Sequence, residues 1–197
     1  MTVPEMLVAA GLFLVITTAL LSSFFRGIEA WKQVEQRSVL MNEAQKVFRD
    51  VSWELESSSL QTVEWSNSPG ILTFASPFGP RDTASRDQFQ VDNASGDLRW
   101  DKYVVLYRDA LDNTVKKREI PIPGGSAARL TPQVISTVDL GSGTNPPSYY
   151  ANSGLVVSRD AEMLTVGRLG RSVELTLVLK NQDGRSGEFV YSVLVRN

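Results

Sequence analysis

Cysteine and histidine are both absent from the 197-residue sequence. The absence of cysteine excludes disulfide bonds and thiolate ligands, and the absence of histidine excludes imidazole ligands for a metal. Cysteine nucleophiles and histidine-based triads are excluded for the same reason. An oxygen-liganded cation site stays open, because carboxylates are plentiful. No other catalytic motif is present, so we predict a protein that is not an enzyme and that has no cofactor.

A surplus of charge of one sign is lacking as well. The formal net charge is −2, from 20 basic and 22 acidic residues. Nucleic-acid binders depend on basic residues that neutralise phosphates, so nucleic acid is not expected as a partner. Hydrophobic residues make up 42% of the sequence and charged residues 21%, a composition that supports a globular core. The length suits one domain with an appendage.

A long apolar run lies near the start of the sequence. Residues 6–25 contain 20 consecutive positions without a charge, and Arg26 follows them. As a helix this run spans roughly 30 Å, the thickness of the hydrocarbon core of a bilayer. A cleaved signal peptide is one interpretation, but it would carry a basic region before a shorter apolar core. An ordinary single-pass anchor is a second interpretation, and the residues around Glu5 support a third.

Glu5 lies one turn from the start of this membrane-length helix, where a charge needs an explanation because bilayer burial of a carboxylate is costly. The helix dipole favours an anion in the first turn, and Pro4 is compatible with that turn because the amide hydrogen it lacks would have no partner. In one interpretation the carboxylate rests among lipid headgroups. In the other it pairs with the free α-amino group of a neighbouring subunit inside a bundle of helices.

The first ten residues, MTVPEMLVAA, resemble the mature N-terminus of type IV pilins and of type II secretion pseudopilins. The resemblance implies a precursor with a short basic leader, which a prepilin peptidase removes before it methylates the new first residue. Met1 would be that processed and methylated residue, with an initiator Met in a truncated sequence as the alternative. Glu5 would be the carboxylate that directs subunit assembly.

The resemblance also implies a function and a location. It implies a structural subunit that sits in the bacterial inner membrane as a single-pass protein, with its head in the periplasm or outside, before it enters a pilus or pseudopilus filament. Its partners would be other pilin-like subunits, bound through their N-terminal helices, together with the prepilin peptidase and the assembly platform. No small-molecule substrate is implied. Secretion, motility and DNA uptake all stay open as the system served.

An amphipathic helical half is predicted to follow over residues 27–58. Its apolar residues recur at steps of three, four and seven, which marks one helical face. We predict that this face packs against the protein's own head rather than in a coiled coil, because the stripe runs for barely four heptads. The serines at 57–59 are expected to end the helix. The stripe consists of Trp31, Val34, Met41, Ala44, Phe48, Val51 and Leu55.

Residues 59–197 are predicted to form a β-rich globular head. Residues 70–75 are one strand candidate, and residues 103–108 and 115–120 flank a turn of Asp and Asn, which indicates a hairpin. Apolar and polar residues also alternate near the C-terminus, which predicts a second antiparallel hairpin with one buried face. Its two strands are expected within residues 173–180 and 189–196.

A long helix followed by strands predicts an α+β protein with the sheet packed on one side of the helix. The resemblance specifies this as the pilin fold, in which residues 1–26 form the transmembrane half of the helix. The segments 100–107 and 191–197 resemble minor pseudopilins of the J type and W-type minor pilins. That second resemblance implies a place in a tip complex that primes filament assembly.

Two polar stretches, residues 77–96 and 121–147, are predicted loops, although residues 134–138 form a strand candidate inside the second. Since loops often carry function, they support an alternative: a minor pilin whose head acts as an adhesin or DNA-uptake receptor.

Other patterns have plainer explanations. Residues 141–144 lack the lysine and the helix of a phosphate loop, and residues 93–95 match a glycosylation triplet that is common by chance. The basic run at 116–118 is expected on an exposed edge strand, where it prevents aggregation, with DNA contact as the alternative. Four aspartates recur at five-residue spacing without the compact pattern of a calcium loop, so no metal site is predicted. They are Asp82, Asp87, Asp92 and Asp97.

Overall fold

The computed structural model describes five segments of the chain, residues 2–80, 88–93, 95–125, 129–181 and 183–196. The chain divides into two compact units, Met1–Val39 and Leu40–Asn197. Helix α1 covers Val3–Glu56 and contributes residues to both units. The predicted α+β layout, with one long apolar N-terminal helix and antiparallel sheets, is confirmed.

Helix α1 ends where the serines interrupt the apolar pattern, as predicted. The Ser57 hydroxyl donates to the carbonyl of Trp53 at 3.0 Å, and the Ser58 hydroxyl donates to the carbonyl of Leu55 at 2.7 Å. Carbonyl groups in the last turn of a helix lack intrahelical partners, so these hydroxyls stabilise the end of the helix.

Within the described residues, eight strands form two antiparallel sheets after α1. The first sheet has the order β1-β2-β3-β4-β5 and the second the order β6-β7-β8. A one-turn helix, α2 (Pro147–Tyr150), precedes β5. The strands are β1 (Glu64–Asn67), β2 (Gly70–Ser76), β3 (Lys102–Asp109), β4 (Thr114–Pro121), β5 (Leu155–Ser158), β6 (Ala161–Leu169), β7 (Ser172–Lys180) and β8 (Ser186–Leu194).

Both predicted hairpins and the predicted strand at residues 70–75 are confirmed. Strands β3 and β4 pair from Lys102 with Pro121 to Asp109 with Thr114, around the expected turn. Strands β7 and β8 pair from Ser172 with Leu194 onwards. These hairpins are local structures, since short connections bring their strands together.

The main core lies where α1 meets the strands of the head. The helix buries a ridge of residues whose spacing follows 3.6 residues per turn, and β2, β3, β6 and β7 supply most of the opposing side chains. The predicted stripe was wrong at Trp31, Val34 and Met41, which are 73%, 66% and 51% exposed. The buried ridge begins only at Leu40, the neighbour of Met41. The apolar ridge consists of Leu40, Ala44, Val47, Phe48, Val51 and Leu55.

A second core covers the opposite face of the first sheet, so β2 and β3 are buried on both sides. The predicted strand at residues 134–138 was wrong: Ile135–Thr137 form a 3₁₀ turn. Three-residue spacing puts Ile135 and Val138 on the same side, where both are buried against the sheet. The predicted loop at 121–147 therefore contributes a layer of the core.

The two sheets meet at the β1–β2 hairpin. A Cβ atom at Gly70 would lie 2.0 Å from the backbone oxygen of Leu164, so β2 approaches β6 at a distance that only glycine permits. The side-chain oxygen of Asn67 accepts a hydrogen bond from the N–H of Val166 at 2.8 Å. These contacts align the sheets around one core.

Candidate functional site

The first turn of α1 contains the acidic residue that the sequence pattern emphasises. The N–H of Thr2 donates to Glu5 Oε2 at 2.7 Å, and the carbonyl of Thr2 accepts from the N–H of Met6 at 3.2 Å. Since the helix begins at Val3, Thr2 is the N-cap and Glu5 is the third helical residue, and their hydrogen bond is one of the two that make up a capping box. The helix end itself orients the Glu5 carboxylate. Met1 lies outside the described residues.

The apolar half of the helix presents its side chains on all sides. Every residue from 2 to 25 is exposed except Thr17, which is half-buried. The hydroxyls of Thr17 and Thr18 donate to the carbonyls of Phe13 and Leu14, both at 2.8 Å, so they add little polarity to the surface. By length and composition α1 is able to cross a membrane. A helix that is apolar around its circumference needs lipid or other protein to cover it.

A buried ionic cluster joins the end of α1 to the first sheet. Glu54 is its centre: Oε1 lies 2.8 Å from Lys117 Nζ, and Oε2 lies 3.1 Å from Lys102 Nζ. Lys102 also contacts Glu119 at 3.0 Å, and Lys117 contacts the Asp50 carboxylate at 3.4 Å. The contact of Oε2 with Lys102 is ionic and lacks hydrogen-bond geometry. Lys102 is only 2% exposed, so the cluster depends on matched charges rather than on water.

The electrostatics of the cluster favour the charged forms of Glu54 and Lys117. Burial acts to raise the pKa of the Glu54 carboxyl, but attraction to Lys117 and Lys102 outweighs it and holds that pKa below the ordinary value of 4.5. Burial acts to lower the pKa of Lys117, but attraction to Glu54 and Asp50 outweighs it and raises that pKa above 10.5. Glu54 and Lys117 are therefore both charged at neutral pH, and their ion pair attaches the end of α1 to β4.

We expect low pH to reduce the stability of the head because the Glu54 carboxylate becomes protonated. A carboxyl whose pKa is lowered in the folded state adds stability above its unfolded pKa, and this is lost as the pH falls through the folded value. The free energy of unfolding should therefore fall as the pH drops below 4.5, more steeply in the wild type than in Glu54→Gln. Urea unfolding of the full chain in detergent, followed by tryptophan fluorescence, measures both profiles. Parallel profiles would contradict the prediction.

The basic run at 116–118 does not lie on an exposed edge strand, which corrects that prediction. Strand β4 has a neighbour on each side, so it is internal to the sheet. Lys117 is buried in the ionic cluster, while Lys116 contacts Asp109 at 2.6 Å and Asp112 at 2.7 Å. Arg118 donates to the carbonyl of Tyr150 at 3.2 Å. The three cations therefore serve the fold in three different places and do not form a single basic patch.

Lys116 also organises the turn between β3 and β4. Its hydrogen bond is the main reason that the pKa values of Asp109 and Asp112 lie below the ordinary value, and the two carboxylates raise the pKa of Lys116. The turn presents Leu111, which is 97% exposed.

The weaker sequence patterns do not form chemical sites where the structure describes them. Among residues 141–144, the N–H groups of Gly141 and Gly143 both donate to Asp139 Oδ1 at 2.8 Å, so they do not cradle a phosphate. Asp92 accepts hydrogen bonds from Ser95, whereas Asp82, Asp87 and residue 94 lie outside the described segments. No group of three acidic residues suited to a metal occurs in the described part of the chain.

No family model, no curated protein and no solved structure matches this chain. The function of this chain is therefore inferred from its own residues. Sequence reasoning identified Glu5 and the apolar run. It missed the ionic cluster, and its only local signal was an acidic residue, Glu54, between the apolar positions Val51 and Leu55 of the helix.

Proposed function

We propose that this chain is a structural subunit of a type IV pilus or a type II secretion pseudopilus. One observation carries the proposal: a carboxylate, Glu5, is held in the first turn of a helix whose first half is bilayer-length, apolar and exposed up to residue 25. The resemblance of the first ten residues to pilins and pseudopilins supports the same assignment.

The apolar helix needs a cover in every state of such a protein. Before assembly the cover is the inner membrane, with the chain crossing once and the head in the periplasm or outside. After assembly the cover is the helices of neighbouring subunits. Since both environments bury the same apolar surface, transfer between them costs little hydrophobic free energy. Assembly is then governed by specific contacts, of which the Glu5 carboxylate is the strongest candidate.

Glu5 would pair with the α-amino group at the N-terminus of a neighbouring subunit. A lone carboxylate at bilayer depth is costly, and an ion pair in a dry bundle removes much of that cost. The hydrogen bond from the Thr2 N–H supports this role because it holds the carboxylate at the N-terminal end of the helix. Met1, as the processed and methylated residue, would supply the corresponding amine to the next subunit.

A minor subunit in a tip complex is the more specific form of the proposal. Its support is the resemblance of two segments to J-type pseudopilins and W-type minor pilins, and these segments contribute to β3 and β8. Deletion of residues 121–147 would not test the adhesin or DNA-receptor alternative, because that segment contributes buried residues to the second core.

The proposal predicts that the protein is recovered in filaments sheared from cells and that its native N-terminus is a methylated residue 1. Immunoblots of the sheared and membrane fractions, with mass spectrometry of the N-terminal peptide, measure both. A strain without the prepilin peptidase is the control and should yield unprocessed protein in membranes only. Exclusive recovery from membranes under conditions that assemble filaments would contradict the proposal.

A further inference from the structure

Strand β5 is a short edge strand whose exposed side chains are apolar rather than charged. Among the described residues it pairs on one side only, with β4. Edge strands commonly carry charges or proline, which prevent pairing with another chain. The sequence of β5 is LVVS, and Leu155 and Val156 are 58% and 50% exposed. A bulge interrupts its pairing near Val157, which turns inward to the core, but it leaves the two exposed residues on the edge.

Hydrogen bonds to the residues that precede β5 hold this edge strand in place. The N–H of Gly154 donates to the hydroxyl of Tyr107 at 3.0 Å, which ties the start of β5 to β3. Arg118 Nη1 donates to the carbonyl of Tyr150 and to the side chain of Asn152, just before the strand. An edge that is already ordered costs less conformational entropy when a partner binds to it.

A cavity of about 780 Å³ adjoins β5 within the head. Four cationic and two acidic residues line it, but Lys117 is neutralised by Glu54 and Asp50. On the helix side Lys46 already pairs with Glu43, so the cationic character of the cavity comes from Arg49, which is exposed, and from Arg118, which donates to neutral oxygens of Tyr150 and Asn152. The space beside the edge therefore favours an anionic occupant.

We propose that β5 and this cavity form a docking site for an extended acidic segment of a partner protein. The segment would add as a further strand to β5 through backbone hydrogen bonds, a recurrent mode of peptide recognition. Because successive side chains of a strand point to opposite faces, the apolar side chains of the segment would cover Val156 on one face, and its carboxylates on the other face would approach Arg49. The site belongs to the head, so the proposal stands independently of filament assembly.

Binding of short labelled peptides to the full chain in detergent micelles tests the site by fluorescence anisotropy. The probe is a peptide of alternating Glu and Val, and the matched peptide has Lys in place of Glu. A third peptide keeps the Glu residues but replaces the central Val residues by Pro, which removes backbone donors. We expect the dissociation constants of the Lys and Pro peptides to be at least about tenfold higher, because each peptide loses a few favourable contacts.

Two variants locate the site, and each has a matched control. Val156→Glu and Arg49→Glu should each weaken binding of the Glu peptide about tenfold. Val190→Glu, an equally exposed change on β8, and Arg37→Glu, on the same helix, should not. Unfolding midpoints verify that each variant is folded. Equal binding of all three peptides, or equal loss in the controls, would overturn the proposal. A third result would also overturn it: none of the peptides binds, and the protein self-associates in a way that Val156→Glu abolishes. In that case β5 pairs with a second copy of the chain.

Discussion

Replacement of Glu5 by glutamine is expected to remove most of the protein from filaments while leaving its insertion into the membrane unchanged. Glutamine keeps the length of the side chain and an oxygen that is able to accept the hydrogen bond from Thr2. It lacks the charge that would pair with a neighbouring amine. Loss of one partner of a buried ion pair costs about 3–5 kcal/mol, so incorporation should fall well over tenfold.

Glu5→Ala separates this charge effect from helix capping, because alanine loses both the charge and the capping oxygen. If the pairing role is right, Gln and Ala variants are both excluded from filaments. If Gln assembles like the wild type and Ala does not, the carboxylate only caps its own helix and the pairing hypothesis is wrong. Glu29→Gln, an exposed acid on the same helix beyond the apolar run, is the matched control and should assemble normally.

The incorporation of each Glu5 variant into filaments can be quantified with a fluorescent label, because the protein has no native cysteine that would also react. A single cysteine introduced at Leu111, the 97% exposed tip of the β3–β4 turn, accepts a fluorescent maleimide without competing sites. Fluorescence in the sheared and membrane fractions then gives the incorporated share for each variant. Protease protection of the same label position shows whether insertion is unchanged.

Glu54→Gln is expected to lower the free energy of unfolding of the head by about 3–5 kcal/mol. The substitution removes the carboxylate that Lys117 and Lys102 share, and it leaves two ammonium groups in a buried place with fewer partners. Glu43→Gln, on the same helix, breaks only the exposed pair with Lys46 and should cost less than ~1 kcal/mol. Urea unfolding of the full chain in detergent, followed by near-UV circular dichroism, compares the two.

A triple variant tests whether charge balance explains this loss. Replacement of Glu54 by leucine and of Lys102 and Lys117 by methionine removes three of the charges together, although Glu119 then loses its ion pair with Lys102 at 3.0 Å. Buried ion pairs are often replaceable by apolar side chains at little cost, so we expect it to recover much of the stability lost in Glu54→Gln. A change for Glu54→Gln as small as that for Glu43→Gln would show that the cluster adds little to the head.

The correct sequence predictions concern features that neighbouring residues decide. The helix end at Glu56 follows from serines that bond to carbonyls three or four positions before them. The β3–β4 hairpin follows from the short polar turn between residues 103–108 and 115–120, and Asn113 takes the positive φ of 52° that such a turn requires. The orientation of the Glu5 carboxylate follows from its hydrogen bond with the N–H of Thr2, three residues earlier.

The wrong predictions concern features that distant residues decide. Lys117 looked like a surface cation, but Glu54, 63 positions earlier in the chain, provides the charge that permits its burial. Ile135 was expected in a strand, but it lies in a 3₁₀ turn and packs against the face of the first sheet, in contact with residues far from it in the sequence. The edge position of β5 was not predicted, because a run of four residues does not reveal which strands will pair with it.

By itself the sequence determined the apolar N-terminal helix, the carboxylate in its first turn and the two hairpins. Each depends on hydrogen bonds and hydrophobic periodicity among residues that are close in the sequence, so a short stretch of sequence is enough to predict it. Only the tertiary structure decided which lysines are buried, which strand is left at the edge of the first sheet and which residues cover its second face. Those features depend on strand pairing and charge neutralisation between segments far apart in the chain, and local patterns do not encode which segments meet.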